Sequence, residues 1–472
     1  MRPLEILIFV FLAISALWSL IKPNSPVRTI RYIPLLALLF TIAHLILEGY
    51  RWQMIPLYAL VLIAVIGSIP AIAGRERSIQ KPRGWQTAGF IIFLVVLVLA
   101  VLLPTLLPVP RISAPSGSYT VGTRTYVITD TSRKELYSGR DEPRKFMIQI
   151  WYPAILGQAD ARAPWMADAK IFAPAISDFL HLPAFFLDHL ALTRIPAYTN
   201  AQPAMSDHGY PVILFSHGWN GFAAQNSAQM VELASHGYVV AAIQHTYGAL
   251  VTVFPDGEIA KNNPDALPES MPEPGYTDAA RLLVNQWAVD ISSALDFLTS
   301  EDGNASSPFF HLLDLTHVGV YGHSTGGGAA IQFCGTDDRC KAGLAEDAFM
   351  TPVSQQVLDQ GLPQPFLFLF SQSWADDAES RNHRLFDEFR AHLPSQSSVV
   401  TILGTKHYDF TDLPLLSPLT PQLGIKGPIN GQLVVKIIDD YLVAFFDQEL
   451  KEIPSPIPFA QSEAYPDLRW EK

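Results

Sequence analysis

"HVGVYGHSTGGGAAIQFC", residues 317–334, opens as a short β-branched and aromatic run and closes as a small-residue helix, with Ser324 at the join. Gly322-His323-Ser324-Thr325-Gly326 fits G-x-S-x-G between a predicted strand and a predicted helix. In that setting the serine takes a strained backbone and presents its Oγ at the tip of a sharp turn. Small residues two before and two after it let strand and helix pass closely, and Gly327 and Gly328 extend the clearance. A phosphate loop of the Walker type would need G-K-[ST], which is absent.

The chain on either side repeats the same rhythm. "PVILFSHG" (211–218), "YVVAAIQHT" (238–246), "CKAGLAED" (340–347), "PFLFLFSQS" (365–373) and "SSVVTILG" (397–404) read as short buried strands. Helical patterns at 223–237, around 283–300, near 377–391 and at 430–450 separate or follow them. "SYTVGTRTYVIT" and "KFMIQIWYP" are strand-like upstream. Residues 165–205 read as an insertion of helical, apolar pieces, and 255–275 as a Pro-rich loop. Such alternation predicts an α/β fold, a mainly parallel sheet with helices on both faces.

The first 110 residues differ in character. Four apolar stretches, about 4–21, 31–48, 54–73 and 87–108, each approach the ~20 residues that cross ~30 Å of hydrocarbon. Four in a row exceed what a cleaved signal peptide explains. Lys22, Arg28 and Arg31 lie between the first and second, and Arg75, Arg77, Lys81 and Arg83 between the third and fourth. Basic short loops stay cytoplasmic, so everything after residue 110 is expected outside the cytoplasm. The expected organisation is a four-helix transmembrane region at 1–110 and a catalytic domain at 111–472, a multi-pass protein of the cell (inner) membrane. The Pro/Gly/Ser-rich "VPRISAPSG" (109–117) serves as linker.

The net charge is −12, without Lys/Arg runs, which argues against a nucleic-acid partner. The two cysteines, Cys334 and Cys340, exclude a disulfide scaffold and a cysteine zinc site. In an exported domain they could pair across "GTDDR"; the alternative is two separate thiols.

A serine nucleophile needs a base, and the base needs an orienting carboxylate. After a G-x-S-x-G serine the acid comes next in the chain, then the histidine. Of His383, His392 and His407, only His407 follows a strand directly, at the sheet edge to which Ser324 points. For the acid, Asp347 and the pair Asp376 and Asp377 each follow a strand, and spacing does not choose between them. Strand alternation points Glu346 away from Asp347. Two N–H groups must hold the oxyanion: Thr325, after the nucleophile, and Trp219, in the loop "FSHGWNGF" where Gly218 lets the backbone turn. His217 is then structural.

"FMIQIWYPA", "PVILFSHGWNGF", "LASHGYVVAAIQH", "GHSTGGGAA", "GLAEDAFM" and "GTKHYDFTD" occur in order over about residues 115–450. As a set they resemble the platelet-activating-factor acetylhydrolase family, the plasma-type enzymes and their bacterial relatives. The resemblance implies an α/β-hydrolase fold, a triad of Ser324, Asp347 and His407, oxyanion donors Trp219 and Thr325, and no cofactor or metal. It favours Asp347 over Asp376 and Asp377. It implies ester or lipid substrates with short or oxidised acyl chains; the bilayer as a partner is expected from the apolar stretches alone. Thr325 stands where the plasma enzyme has an aromatic residue, and the helical insertion and apolar stretches have no counterpart there. Rival readings are a dienelactone- or polyester-type hydrolase, an inactive hydrolase-fold membrane sensor, and a transporter with a soluble appendage. The insertion, with Phe172, Phe179, Phe185 and Phe186, reads either as a lid or as a packed cap.

Overall fold

In a computed structural model the turn at Ser324 lies in the middle of a 12-stranded mixed sheet. The structure describes residues 1–21, 31–74, 83–455, 457, 463–466 and 468–471. The chain begins with helices α1 (Pro3–Ile21), α2 (Ile33–Leu47), α3 (Ile55–Ile72) and α4 (Arg83–Leu106). Then come β1 (Thr120–Lys134), β2 (Pro143–Ile155), β3 (Arg162–Pro164), α5 (Ala169–Phe179), β4 (Arg194–Thr199) and β5 (Gln202–Pro203). The centre is built by β6 (Tyr210–Ser216), α6 (Ser227–Ser235), β7 (Val239–Gln244), β8 (Val251–Val253), β9 (Ile259–Lys261), α7 (Gly275–Gly303), β10 (Leu313–His323), α8 (Thr325–Cys334) and β11 (Cys340–Glu346). The chain closes with α9 (Gln355–Gln360), β12 (Phe366–Ser371), α10 (Gln372–Ala375), α11 (Arg381–Arg390), β13 (Ser398–Ile402), α12 (Gly431–Lys451) and β14 (Leu468–Glu471).

The order β14-β13-β12-β11-β10-β6-β7-β2-β1-β4-β3 is parallel from β13 to β7 and antiparallel where β2 meets β7 and β1. Continuous apolar strands are explained by two cores, one on each face. Val212 and Leu214 of β6 join Phe366, Phe368 and Phe370 of β12 against α7, α8 and α11. Ile213 and Phe215 join Leu367 and Leu369 against α6 and α12. A period of two thus feeds both layers from one apolar run.

Several expectations shift. The end of the 165–205 insertion is not helical: β4 runs parallel to β1, with Val121 opposite Ala197, and β5 pairs with β2. The segment "RIPAYT" is short and buries only Ile195 and Ala197 fully, so the apolar run upstream masked its period. The Pro-rich loop 255–275 contains β9, whose hairpin with β8 turns at Asp256-Gly257, where Gly257 has φ +89°. The helix near 377–391 starts at Arg381, because the Ser380 hydroxyl accepts the His383 N–H. Cys334 and Cys340 are joined as a disulfide.

Two helices, over Trp52–Ile72 and Ala88–Leu106, are long and apolar enough to cross a membrane, and only 17% of each apolar window is buried. α1 is apolar over Pro3–Trp18, and α2 covers 15 residues, ended by Tyr32 and Glu48. α2 falls short of the ~20 residues of a straight crossing, whereas α1 runs over 19. Of the four expected spans, two are matched among the described residues by helices long and apolar enough to cross. Lys22, Arg28, Arg75, Arg77 and Lys81 lie outside the described residues.

The insertion docks on the turn between α2 and α3. Trp52 Nε1 donates to the Phe186 carbonyl at 3.1 Å and its ring meets Phe185 edge-on at 5.4 Å. Gln53 Nε2 bonds His189 Nδ1 at 2.8 Å, out of solvent.

Candidate active site

The turn after β10 is as tight as its glycines require. A Cβ on Gly322 would lie 2.2 Å from the Gly326 carbonyl oxygen, and one on Gly326 would lie 1.9 Å from that of Ser216. Ser324 itself sits at φ 56°, ψ −117°, a strained conformation for a residue with a side chain. Its N–H donates to the Glu346 carbonyl at 2.8 Å, and its own carbonyl accepts from Gly328 and Phe349. Three backbone bonds therefore hold the strain and leave the Oγ at the sheet edge.

Asp347 follows β11 at φ 46° and is buried. Its Oδ1 accepts the Ser371 N–H at 2.6 Å, and its Oδ2 accepts the Ser371 hydroxyl at 2.7 Å. The same Oδ2 faces His407 Nδ1 at 3.0 Å. A carboxylate so placed keeps the proton of a neutral imidazole on Nδ1 and leaves Nε2 free to accept one. Ser324 Oγ makes no hydrogen bond to His407 among the described residues; such contacts tighten when substrate fills a site.

The other acids and histidines lie elsewhere. Asp376 and Asp377 are exposed beyond α10, and Gln372 Nε2 donates to Asp376 at 3.2 Å. His383 stacks on Trp374, and His392 Nδ1 bonds the Leu358 carbonyl. Glu346 points to the opposite face of the sheet, where Gln229 and Asn226 donate to it; burial pushes its carboxyl well up.

Trp219 lies in the loop after β6. Gly218 does not carry the left-handed turn; Asn220 does, at φ 58°. What Gly218 supplies is clearance, since a Cβ there would stand 3.3 Å from Ser324 Cβ and 3.1 Å from His323 Nδ1. The loop therefore runs directly against the serine turn. Thr325 opens α8, so its N–H has no intrahelical acceptor. His217 is buried; its Nδ1 bonds the Gly218 carbonyl at 2.7 Å and its Nε2 accepts the His245 N–H.

Sequence reasoning missed the groups that position these residues. His323, the variable residue before Ser324, donates from Nε2 to the His407 carbonyl at 3.0 Å. Burial pushes its basicity well down, so it stays neutral there. Asp409 accepts the N–H groups of Lys406 and Gly427, closing the turn that carries His407. Asp412 accepts from Ser227 N, Ala228 N and Trp165 Nε1, tying the His407 segment to α6 and to the insertion. "HYDFTD" held both acids in view, but nothing local shows what they bond.

Burial outweighs these donors and pushes the Asp412 carboxyl up to about 7, from 3.8. The folded chain thus holds a proton that the unfolded chain has released between those values. This contribution to stability is full below the unfolded value and is lost as pH rises through about 7. The melting temperature of the full chain should fall less steeply between pH 4 and pH 8 in Asp412→Asn than in the parent. Parallel profiles would show that Asp412 is ionised throughout.

A second serine–histidine–aspartate chain lies nearby. Ser216 Oγ bonds His245 Nε2 at 2.9 Å, and His245 Nδ1 bonds Asp290 Oδ2 at 2.9 Å. All three are fully buried, Arg144 and Arg133 hold Asp290, and His245 stacks on Trp287 at 4.1 Å. Burial pushes His245 down to about 4. Without access for substrate, this chain ties β6 and β7 to α7 behind the serine turn.

Glu5, His44 and Glu48 bring possible metal-ligand atoms within 4.8 Å of one another. Arg2 and Arg51 both pair with Glu5, so that carboxylate is already neutralised. A cavity of about 70 Å³ under the insertion is lined by Trp165, Met166, Phe172, Phe222 and Gln244, and Ser324 and His407 are not among its lining residues.

A mixed sheet with a serine on a strained strand-to-helix turn defines a serine hydrolase of the α/β-hydrolase class. The model of the family described as platelet-activating factor acetylhydrolase, isoform II, matches residues 108–455, and the chain belongs to that family. The platelet-activating factor acetylhydrolase of Cavia porcellus is 26% identical over 356 residues, 71% of this chain and 77% of that protein. A probable 1-alkyl-2-acetylglycerophosphocholine esterase of Arthroderma benhamiae is 24% identical, over 64% of this chain and 76% of its own length. Among solved structures, a ferulic acid esterase from Streptomyces cinnamoneus superposes with TM-score 0.64 at 25% identity, covering 77% of this chain and 100% of its own.

Proposed function

We propose that this protein is a membrane-anchored carboxylic-ester hydrolase that removes short acyl chains from esters, phospholipids among them. Ser324 Oγ attacks the carbonyl carbon. His407 Nε2 takes the serine proton and returns it to the leaving alcohol. Asp347 stabilises the imidazolium, and the N–H groups of Trp219 and Thr325 receive the oxyanion. Water then attacks the acyl-enzyme, with His407 again as base. The observation that carries this reading is the 3.0 Å contact of His407 with a buried Asp347 at the edge where Ser324 is held in strain.

The anchoring is part of the proposal: residues 1–110 as a four-helix membrane region and 111–472 as the catalytic domain outside the cytoplasm. Its supports are the exposed apolar faces of α3 and α4, the basic residues clustered in two alternate connections, and a disulfide suited to an oxidising compartment. Residues 2–5, 48–51 and 104–107 meet through Arg2, Glu5 and Arg51 at the end that bears the hydrolase. The insertion acts as a cap, with Phe172 packed on Phe222 near the Trp219 loop and Phe185 and Phe186 on Trp52.

Purified full chain in detergent, given p-nitrophenyl esters from acetate to decanoate, should turn over the shortest esters fastest and lose activity with length. A maximum at long chains, or a strong preference for feruloyl esters, would replace the acetylhydrolase-like substrate while leaving the residues in their roles.

A further inference from the structure

A cavity of about 280 Å³ opens where α1, the α2–α3 turn and the end of α4 meet the hydrolase domain. Arg2, Arg51, Arg111, Pro108, Leu415 and Gln432 line it. Three guanidinium groups around one cavity need an account. Glu5 provides part of it, pairing with Arg51 through two bonds and with Arg2 through one.

The remaining donors are not all spent. A guanidinium carries five N–H groups. Arg51 uses one of its Nη1 hydrogens on the Leu107 carbonyl and its Nη2 on Glu5 and the Pro104 carbonyl, which leaves one Nη1 hydrogen. Arg2 bonds the Glu48 and Gly49 carbonyls and Glu5, which leaves two. Arg111 is exposed and makes no hydrogen bond among the described residues. Gln432 accepts from Ser113 through Oε1, so its amide N–H groups are also available. Against these cations stand Glu5 and Glu48, and the balance over the five ionised groups is positive.

Planar forks with free N–H groups and surplus positive charge suit a tetrahedral oxyanion bearing several acceptor oxygens. The place suits a lipid. The cavity lies at the hydrolase-bearing ends of the apolar helices, where headgroup phosphates stand if the membrane reading above is right. We propose that this cavity binds the phosphate of an anionic phospholipid headgroup, with Arg111 as its principal free ligand. A phosphate anion from solution has the same chemistry, and the test separates the two sources.

Full chain is reconstituted in nanodiscs of phosphatidylcholine alone or with phosphatidylglycerol, and lipid retained on extraction is measured by native mass spectrometry beside thermal unfolding. Phosphatidylglycerol should be retained and should raise the melting temperature. Arg111→Gln and Arg111→Glu should cut retention roughly tenfold, the loss of one charge-assisted contact, while Arg111→Lys keeps part of it. Turnover of p-nitrophenyl acetate, unchanged in all three, shows that they fold. Stabilisation by millimolar inorganic phosphate in phosphatidylcholine discs, with phosphatidylglycerol neither retained nor stabilising, would keep the phosphate site and reject the lipid source. Equal behaviour of both lipids, with no response to phosphate, would overturn the proposal. Release of the chain from native membranes by alkaline carbonate would instead overturn the membrane reading, leaving the phosphate response to judge the cavity by itself.

Discussion

Ser324→Ala should lower kcat for p-nitrophenyl acetate by roughly 10⁶ and leave the folded state intact. The size follows from chemistry: without Oγ no acyl-enzyme forms, and only the oxyanion donors and binding contacts remain to act on bulk water. The unchanged stability follows from geometry. What holds residue 324 at φ 56° is backbone, namely its N–H on Glu346 and its carbonyl facing Gly328 and Phe349. Alanine keeps all of these bonds, so the melting temperature should match the parent. Near-normal turnover would remove Ser324 from the mechanism, and a lowered melting temperature would show that the Oγ also holds the turn.

Asp347→Asn should cost about 10⁴ in kcat, for a reason that the Ser371 contacts make specific. Ser371 donates to the carboxylate twice, from N–H to Oδ1 and from the hydroxyl to Oδ2. An asparagine has one oxygen, and the short 2.6 Å backbone contact claims it. The NH₂ group then faces His407 Nδ1, which must accept. That fixes the proton on Nε2, the atom that should receive the serine proton. Asp376→Asn, on an exposed carboxylate bonded only to Gln372 among the described residues, should stay within about twofold of the parent. If Asp376→Asn fails and Asp347→Asn does not, the acid belongs to the later strand.

The reach of the sequence differs from group to group for physical reasons. The serine turn was legible because its constraint is local: Gly322 and Gly326 answer contacts of 2.2 and 1.9 Å that no other residue tolerates. His407 was legible because it directly follows an apolar strand. The choice between Asp347 and Asp376 was not legible from residues, since both end strands; Ser371 and the direction of α10 separate them only in three dimensions. His323 looked like a filler position, and its role depends on a carbonyl 84 residues away. The Ser216–His245–Asp290 chain spans segments that nothing local connects. At the N-terminus the apolar composition was clear, but Tyr32 and Glu48 bound α2 at 15 residues, where the hydropathy reading covers about 31–48.

The most direct measurement is covalent. Full chain treated with a fluorophosphonate, digested and mapped by mass spectrometry, should carry one adduct, on Ser324. Ser216 should stay unmodified although it too sits within 2.9 Å of a histidine backed by an aspartate, because it is buried. The adduct should vanish in Ser324→Ala and form far more slowly in Asp347→Asn. An adduct on another serine, or no adduct while ester hydrolysis continues, would contradict the account.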